Sequence, residues 1–377
     1  MIAWVGDNVI SSLGFTTDEN YRAVLAGQSG ARLHDGMGLP EPFMASLIDR
    51  ERLNDEFGGG DGYTPLEKAA ILSVTRAAAG TGVDLSGERV LFFFSSTKGN
   101  VFLLDGDPAT LDDRVYLWRP AALVSRHFNN PNDPVVISNA CISGASAQVA
   151  ARRALEAGAC DHAVVVGAEM LSRFIISGFQ SLKALSPEPC RPFDAARAGL
   201  NLGEAAATVI YKRAGEGEAG ILLARGAVRN DANHISGPSR TGEGSFLALE
   251  AALDGISPDD VAFINAHGTA TPYNDRMEAI ALTRAGLAAV PVNSLKAHFG
   301  HTLGAAGVVE SVISARALRE GTILASKGYR EQEPEYPLNV ATRVAPTGKR
   351  YFVKMLSGFG GCNAALLYKK VGHGTGH

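Results

Sequence analysis

The sequence predicts an α/β fold built from two comparable halves, and three observations lead to it. Short apolar runs, Val90-Leu91-Phe92-Phe93-Phe94, Ala163-Val164-Val165-Val166 and Val261-Ala262-Phe263-Ile264, alternate with longer segments rich in Ala, Leu and Arg, which is the rhythm of strands and covering helices. A polar, glycine-rich stretch, Gly215-Glu216-Gly217-Glu218-Ala219-Gly220, lies near the midpoint and reads as a connector, so the predicted halves run 1–214 and 221–371. A faint internal repeat supports the division: Gly144, Val149, Arg153, Ala154, Leu155 and Gly158 recur in register as Gly307, Val312, Arg316, Ala317, Leu318 and Gly321. On the repeat alone, a chance match between two alanine-rich helices is as good an explanation as a duplication.

Taken along the chain, Gly58-Gly59-Gly60-Asp61-Gly62 predicts a flexible loop. Pro134-Val135-Val136-Ile137-Ser138 predicts a buried strand, and Ala145 through Leu155 a helix without a breaker. Residues 372–377 predict a disordered tail. With 377 residues, 46% of them hydrophobic, the chain can bury a core large enough for catalysis. The net charge of −4, with Lys and Arg scattered, argues against nucleic acid as a partner. No apolar run approaches the roughly 20 residues of a membrane span, and the first residues lack a charged start and a cleavage site, so the expected compartment is the cytoplasm. Cys141, Cys160, Cys190 and Cys362 lie far apart with no paired spacing, which speaks against a disulfide framework and against a zinc site.

The stretch Ser138-Asn139-Ala140-Cys141-Ile142-Ser143-Gly144 puts a cysteine on the turn between the predicted strand and the predicted helix. Unpaired N–H groups and the dipole at a helix start favour thiolate, the reactive form. By itself, a cysteine among alanines and glycines is more commonly a small packed hydrophobe. Two histidines occupy comparable places: His267 in Asn265-Ala266-His267-Gly268-Thr269-Ala270-Thr271, and His301 in Lys296-Ala297-His298-Phe299-Gly300-His301-Thr302-Leu303-Gly304. Both stand at strand ends beside glycine, where a ligand can approach closely. One such histidine is usually structural. A cysteine and two histidines so placed point together to cysteine-based acyl transfer. His298 and His301 make a His-x-x-His spacing, but without an evident third ligand no metal is expected.

On these residues the chain resembles a β-ketoacyl synthase of the thiolase superfamily, with most similarity to the elongating synthases that act on acyl-carrier protein. The resemblance runs nearly end to end, through Gly27-Gln28-Ser29-Gly30, the Cys141 motif, Arg191-Pro192-Phe193-Asp194, Gly203-Glu204-Ala205-Ala206, both histidine motifs and Gly358-Phe359-Gly360-Gly361-Cys362-Asn363. It implies a five-layered α-β-α-β-α thiolase-like fold with one active site between the halves, working as a homodimer. It implies Cys141 as nucleophile, His267 and His301 as catalytic donors, and Lys296 and Glu310 as their supporting pair. Phe359 would be a gate and, with Cys141, supply the oxyanion-hole N–H groups, and Thr269 and Thr271 would bind pantetheine. Asp275 and Glu278 also match, and read as caps orienting the following helix. The implied reaction is decarboxylative condensation of a malonyl thioester with a cysteine-bound acyl group. It needs acyl-carrier protein as partner and no cofactor beyond the carrier's phosphopantetheine.

Several positions depart from the family pattern. Ser95 to Pro131 is short and lacks the expected asparagine-methionine helix, and Ala198 and Leu200 alter the pocket wall. The basic cluster expected before Tyr63 is replaced by the glycine run, so a carrier patch is expected around Lys68, Arg191 and Arg197. Cys362 replaces a threonine. These departures leave specialised lipid or polyketide synthesis open beside fatty-acid synthesis. Two rivals also stand: a silent partner subunit like a chain-length factor, and a thiolase-like acyltransferase acting on coenzyme A thioesters.

Overall fold

Ten strands form one hydrogen-bonded sheet: β1 (Ile2–Ser11), β2 (Val90–Ser95), β3 (Val135–Ile137), β4 (His162–Glu169), β5 (Ala205–Arg213), β6 (Gly220–Asn230), β7 (Val261–Asn265), β8 (Val292–Asn293), β9 (Tyr351–Gly358) and β10 (Cys362–Val371). This computed structural model describes residues 1–39, 41–59, 62–105 and 112–372. The predicted tail beyond 372, and Gly60 and Asp61 of the predicted loop, lie outside the described residues. The order is β8-β7-β9-β10-β6-β1-β5-β4-β2-β3. Counted within each set of five, both sets run 3-2-4-5-1, so the two halves share one topology. Within the sheet the two sets join through β1 and β6, where Ile2 pairs with Leu223 and Ala3 with Leu222.

Because the join is so short, the two halves of the sheet can turn over one another and hold two helices between them. These are α3 (Ser143–Glu156) and α7 (Ala306–Arg319), which pack on each other and on strands of both sets. Outside the first set lie α1 (Pro65–Ala78) and α2 (Trp118–His127). Outside the second lie α5 (Glu243–Leu253) and α6 (Pro272–Arg284), while α4 (Arg173–Ser181) sits beside the site described below. The result is the expected five-layered α-β-α-β-α arrangement. Among the described residues no helix is long and apolar enough to cross a membrane.

The repeat seen in the sequence is the contact between α3 and α7. A Cβ at Gly307 would lie 2.4 Å from the Ala145 nitrogen, and one at Gly144 would lie 2.9 Å from the Val308 nitrogen, so the two glycines let the backbones touch. Gly158 and Gly321 take left-handed φ values of 73° and 66° just beyond the two helices and end them in the same way. Tyr211 in β5 and Tyr368 in β10, at matching strand positions, both donate to Gln148 Oε1 (2.7 and 2.5 Å), and Gln148 Nε2 donates to the Gly307 carbonyl at 3.0 Å. Gly307→Ala is therefore expected to force the helices apart and cost at least about 2 kcal/mol, read as a lowered urea midpoint with an unchanged m value.

One expectation fails here. The strand at Pro134–Ser138 is not buried: β3 is the edge of the sheet, and Val135 is 42% exposed. A short apolar run does not distinguish an edge strand from a central one, because both are rich in β-branched residues.

Candidate active site

Cys141 stands on a sharp turn between β3 and α3. Ala140 before it is left-handed, with φ 45°, and Ser143 ties the turn by donating to the Ala140 carbonyl and accepting the Asn139 N–H. The second half repeats the device: Leu303, with φ 46°, precedes Gly304, three residues ahead of Gly307 as Cys141 is three ahead of Gly144. There the position equivalent to the cysteine is a glycine whose N–H donates to the buried Glu169 at 2.9 Å. The duplicated turn thus carries a nucleophile in one copy and a structural anchor in the other.

The structure brings Cys141, His267 and His301 together. One donor atom from each lies within 4.8 Å of the others, and all three side chains are buried. The two imidazoles meet edge to face, with centroids 5.0 Å apart. The Leu303 N–H donates to His301 Nδ1 at 3.3 Å, so the neutral ring carries its proton on Nε2. That Nε2 has no hydrogen-bond partner among the described residues, and neither has His267 Nδ1. Most buried polar atoms find a partner, so these two call for an explanation, and a ligand in the adjoining cavity supplies one.

Both imidazoles are held well below the usual histidine range, first by burial and then by the nearby lysine cations, so both are neutral hydrogen-bond donors at neutral pH. In the unfolded chain they take up protons below about pH 6.5, whereas in the folded protein they refuse them. Stability is therefore expected to fall as pH drops from about 6.5, by up to about 1.4 kcal/mol per pH unit for each ring. Urea midpoints between pH 7.5 and 5.5 should show this slope, and it should be shallower in His267→Gln/His301→Gln. The expectation of a thiolate at Cys141 is corrected. Although Cys141 adjoins the start of α3, burial pushes its thiol up to about 12, so the resting group is the thiol.

Lys296 and Glu310 form a buried ion pair, as expected of supporting groups. The sequence reading missed its third member. Lys354, 1% exposed in β9, donates to Glu310 Oε2 at 2.5 Å and to the carbonyls of Ala266 and Asn265 at 3.1 and 3.3 Å. Its signal in the sequence is a lone cation inside the apolar run Tyr351-Phe352-Val353-Lys354-Met355-Leu356.

A cavity of about 330 Å³ leads to Cys141, His267 and His301. Thr269 and Thr271 line it, their hydroxyls 2.9 Å apart. Phe359 also lines it, 39% exposed and stacked on Phe179 at 5.8 Å. On its inner side Cys141 packs in an apolar cluster with Val101, Ile175, Ile176, Leu200 and Leu303, a surrounding suited to an acyl chain. A Cβ at Gly358 would come within 2.8 Å of Cys362 Sγ and 3.1 Å of the Cys141 nitrogen, so glycine is required beside the nucleophile's amide.

Other expectations are refined. Asp275 and Glu278 do not cap α6, whose N-cap Thr271 makes no side-chain capping bond. Asp275 instead accepts the Phe193 N–H at 2.7 Å, and Glu278 accepts those of His267 and Gly268 at 2.7 and 2.6 Å, pinning the histidine loop. His298 turns to the Gln28 carbonyl at 2.6 Å, so His-x-x-His does not converge. A soft ion would find its donors only in Cys141, His267 and His301 among the described residues. Cys362 is 4% exposed, with Sγ on the Phe359 and Asn139 carbonyls. Arg197 is no docking residue, since it is 8% exposed and paired with Glu333 at 2.6 Å.

The comparisons with known proteins agree across the chain. The sequence profile of the β-ketoacyl synthase N-terminal domain matches residues 108–217, and that of the C-terminal domain matches 221–330, together more than half of the chain. Nodulation protein E of Rhizobium meliloti is 32% identical over 246 residues, which cover 62% of this chain and 61% of that protein, less than two thirds of its length. The 3-oxoacyl-[acyl-carrier-protein] synthase 2 of Vibrio cholerae serotype O1 is 29% identical over 419 residues, covering 97% of this chain and 98% of the relative. Among solved structures, the complex of the ketosynthase ApeO with its chain length factor ApeC from Xenorhabdus doucetiae superposes with a TM-score of 0.88 at 25% identity, covering 98% of each chain. The fold is thus the thiolase-like fold of ketosynthases.

Proposed function

Since the chain belongs to the β-ketoacyl synthase family, we propose that it catalyses decarboxylative condensation of malonyl-acyl-carrier protein with an acyl group held on Cys141, giving a 3-oxoacyl-acyl-carrier protein. The observation that carries this reading is the convergence of one thiol with two neutral imidazoles at the end of a single cavity. The Cys141 sulfur attacks the acyl thioester, the acyl–pantetheine C–S bond breaks, and the cysteine's proton passes to the departing pantetheine sulfur, leaving an acyl-cysteine and the carrier's free thiol. The N–H groups of Cys141 and Phe359 receive the oxyanion of that step. The malonyl thioester then loses carbon dioxide, and its electron pair passes to an enolate whose oxygen accepts hydrogen bonds from His267 and His301. The enolate carbon attacks the acyl-cysteine carbonyl, the new carbon–carbon bond forms, and the bond from the acyl carbon to the Cys141 sulfur breaks, the released thiolate taking up a proton to restore the thiol.

In this reading Lys296 and Glu310 hold the histidine loops in place. Thr269 and Thr271 bond the pantetheine arm, and Phe359 swings between the two half-reactions. No cofactor is needed beyond the carrier's phosphopantetheine. Acyl-carrier protein is the partner, the chain pairs as a homodimer, and the site of action is the cytoplasm. The retained cysteine and histidines disfavour a silent chain-length-factor role. A coenzyme A-dependent acyltransferase is disfavoured by a match over 97% of this chain to a synthase named for acyl-carrier protein.

The test is product analysis by mass spectrometry after mixing the protein with a panel of acyl-carrier proteins and malonyl-carrier protein. A 3-oxo product two carbons longer than the donor supports the reading. Turnover only after a second ketosynthase-like chain is added, or equal turnover with acyl-coenzyme A, would replace it with one of the two rivals.

A further inference from the structure

The buried cluster behind the histidines contains one carboxylate and two ammonium groups. Glu310 of α7 takes Lys296 on Oε1 and Lys354 on Oε2. Both lysine side chains are fully buried, and Glu310 is 2% exposed. Lys354 does more than pair with Glu310. Its other two hydrogen bonds go to the carbonyls of Asn265 and Ala266, the residues immediately before His267. The strand end that carries His267 is thereby tied from one side to Glu310, and from the other, through the His267 and Gly268 N–H groups, to Glu278.

We propose that Lys354 is a positioning residue for His267: bonded to Glu310 and to the Asn265 and Ala266 carbonyls, it fixes the strand end that presents the imidazole and places a second cation behind the two rings. This inference rests on the condensation reading for its consequence in turnover, though not for its electrostatics. The charged and titratable groups around the Lys354 ammonium are Glu310 from α7, Lys296 from the short helix Lys296–Phe299, Glu278 from α6, and the two histidines. The strand neighbour across β10 is the apolar Leu366. Glu310 balances only one of the two lysines bonded to it, and Glu278, whose carboxyl burial pushes up to about 7, is protonated through the acid range, so there the surplus positive charge faces the imidazoles in a medium that screens it weakly. Lys354 lies among those cations for both rings. Its own ammonium, lowered to about 8 chiefly by burial, is present throughout the acid range in which the histidines titrate.

Lys354→Met tests this without leaving a buried charge alone, because Glu310 keeps Lys296 and the methionine fills nearly the same volume. Lys354→Arg keeps the charge. Two readouts are taken on the full-length protein: ¹⁵N shifts of labelled histidines across pH, and the pH profile of malonyl-carrier decarboxylation. In Lys354→Met, the protonation of His267 and His301 and the acid limb of the rate should both move up by about one pH unit. At the pH optimum kcat should fall on the order of 10-fold with KM little changed. Lys354→Arg should keep the wild-type limb. Unchanged imidazole titration in a folded Lys354→Met would overturn the proposal, and so would an equal shift in Lys354→Arg. If the wild type turns over no malonyl-carrier protein, the condensation reading fails, and the imidazole titration still decides the role of Lys354.

Discussion

Cys141→Ala should abolish condensation, lowering the rate at least about 10⁴-fold, while malonyl-carrier decarboxylation survives in the same variant. The asymmetry follows from the geometry. On the proposed mechanism, acyl transfer needs a sulfur at the turn before α3, whereas loss of carbon dioxide needs only the donors that face the enolate oxygen, which that mechanism assigns to the two histidines. Alanine is smaller than cysteine, and the turn is held by Ser143 and the left-handed Ala140 rather than by the thiol, so the fold should persist. Measured carbon dioxide release alongside absent 3-oxo product would establish the division of labour. Loss of both activities in a protein with unchanged thermal unfolding would refute it.

The converse is expected of the imidazoles. His267→Ala and His301→Ala should each reduce decarboxylation on the order of 10²–10³-fold, the typical effect of removing one preorganised donor, and should leave acylation of Cys141 nearly intact. If both rings stabilise one enolate oxygen, as proposed, the double variant should lose less than the product of the two single effects. His301 has the better defined role, since the Leu303 N–H already commits its Nδ1 and leaves Nε2–H for the substrate. Stopped-flow carbon dioxide detection with an acylation assay on the same preparations separates the half-reactions.

Much of this was legible in the residues because the motifs bear the imprint of their own geometry. Glycines beside His267 and His301 signal close approach, and the repeat from Gly144 to Gly158 anticipates a pair of helices that touch where no Cβ fits. The alternation of apolar runs with alanine-rich segments sufficed for the α/β class. What escaped depends on partners far away in the chain. Lys354 reads as a flaw in a strand until Glu310 and the Ala266 carbonyl are seen around it. Asp275 and Glu278 look like helix caps by position, yet their acceptors point across to Phe193 and His267. Arg197 looks like a free surface cation and is buried against Glu333. The protonation of Cys141 went astray because a helix start can be recognised locally, whereas desolvation is set by the whole surrounding core.

Intact-protein mass spectrometry after brief incubation with acyl-carrier protein tests the nucleophile most directly. The wild type should gain one acyl group per chain, Cys141→Ala should gain none, and the adduct should disappear on addition of malonyl-carrier protein as the 3-oxo product forms. An adduct that persists in Cys141→Ala, or one on Cys362 or Cys190, would contradict the assignment of Cys141 as the residue that carries the acyl chain.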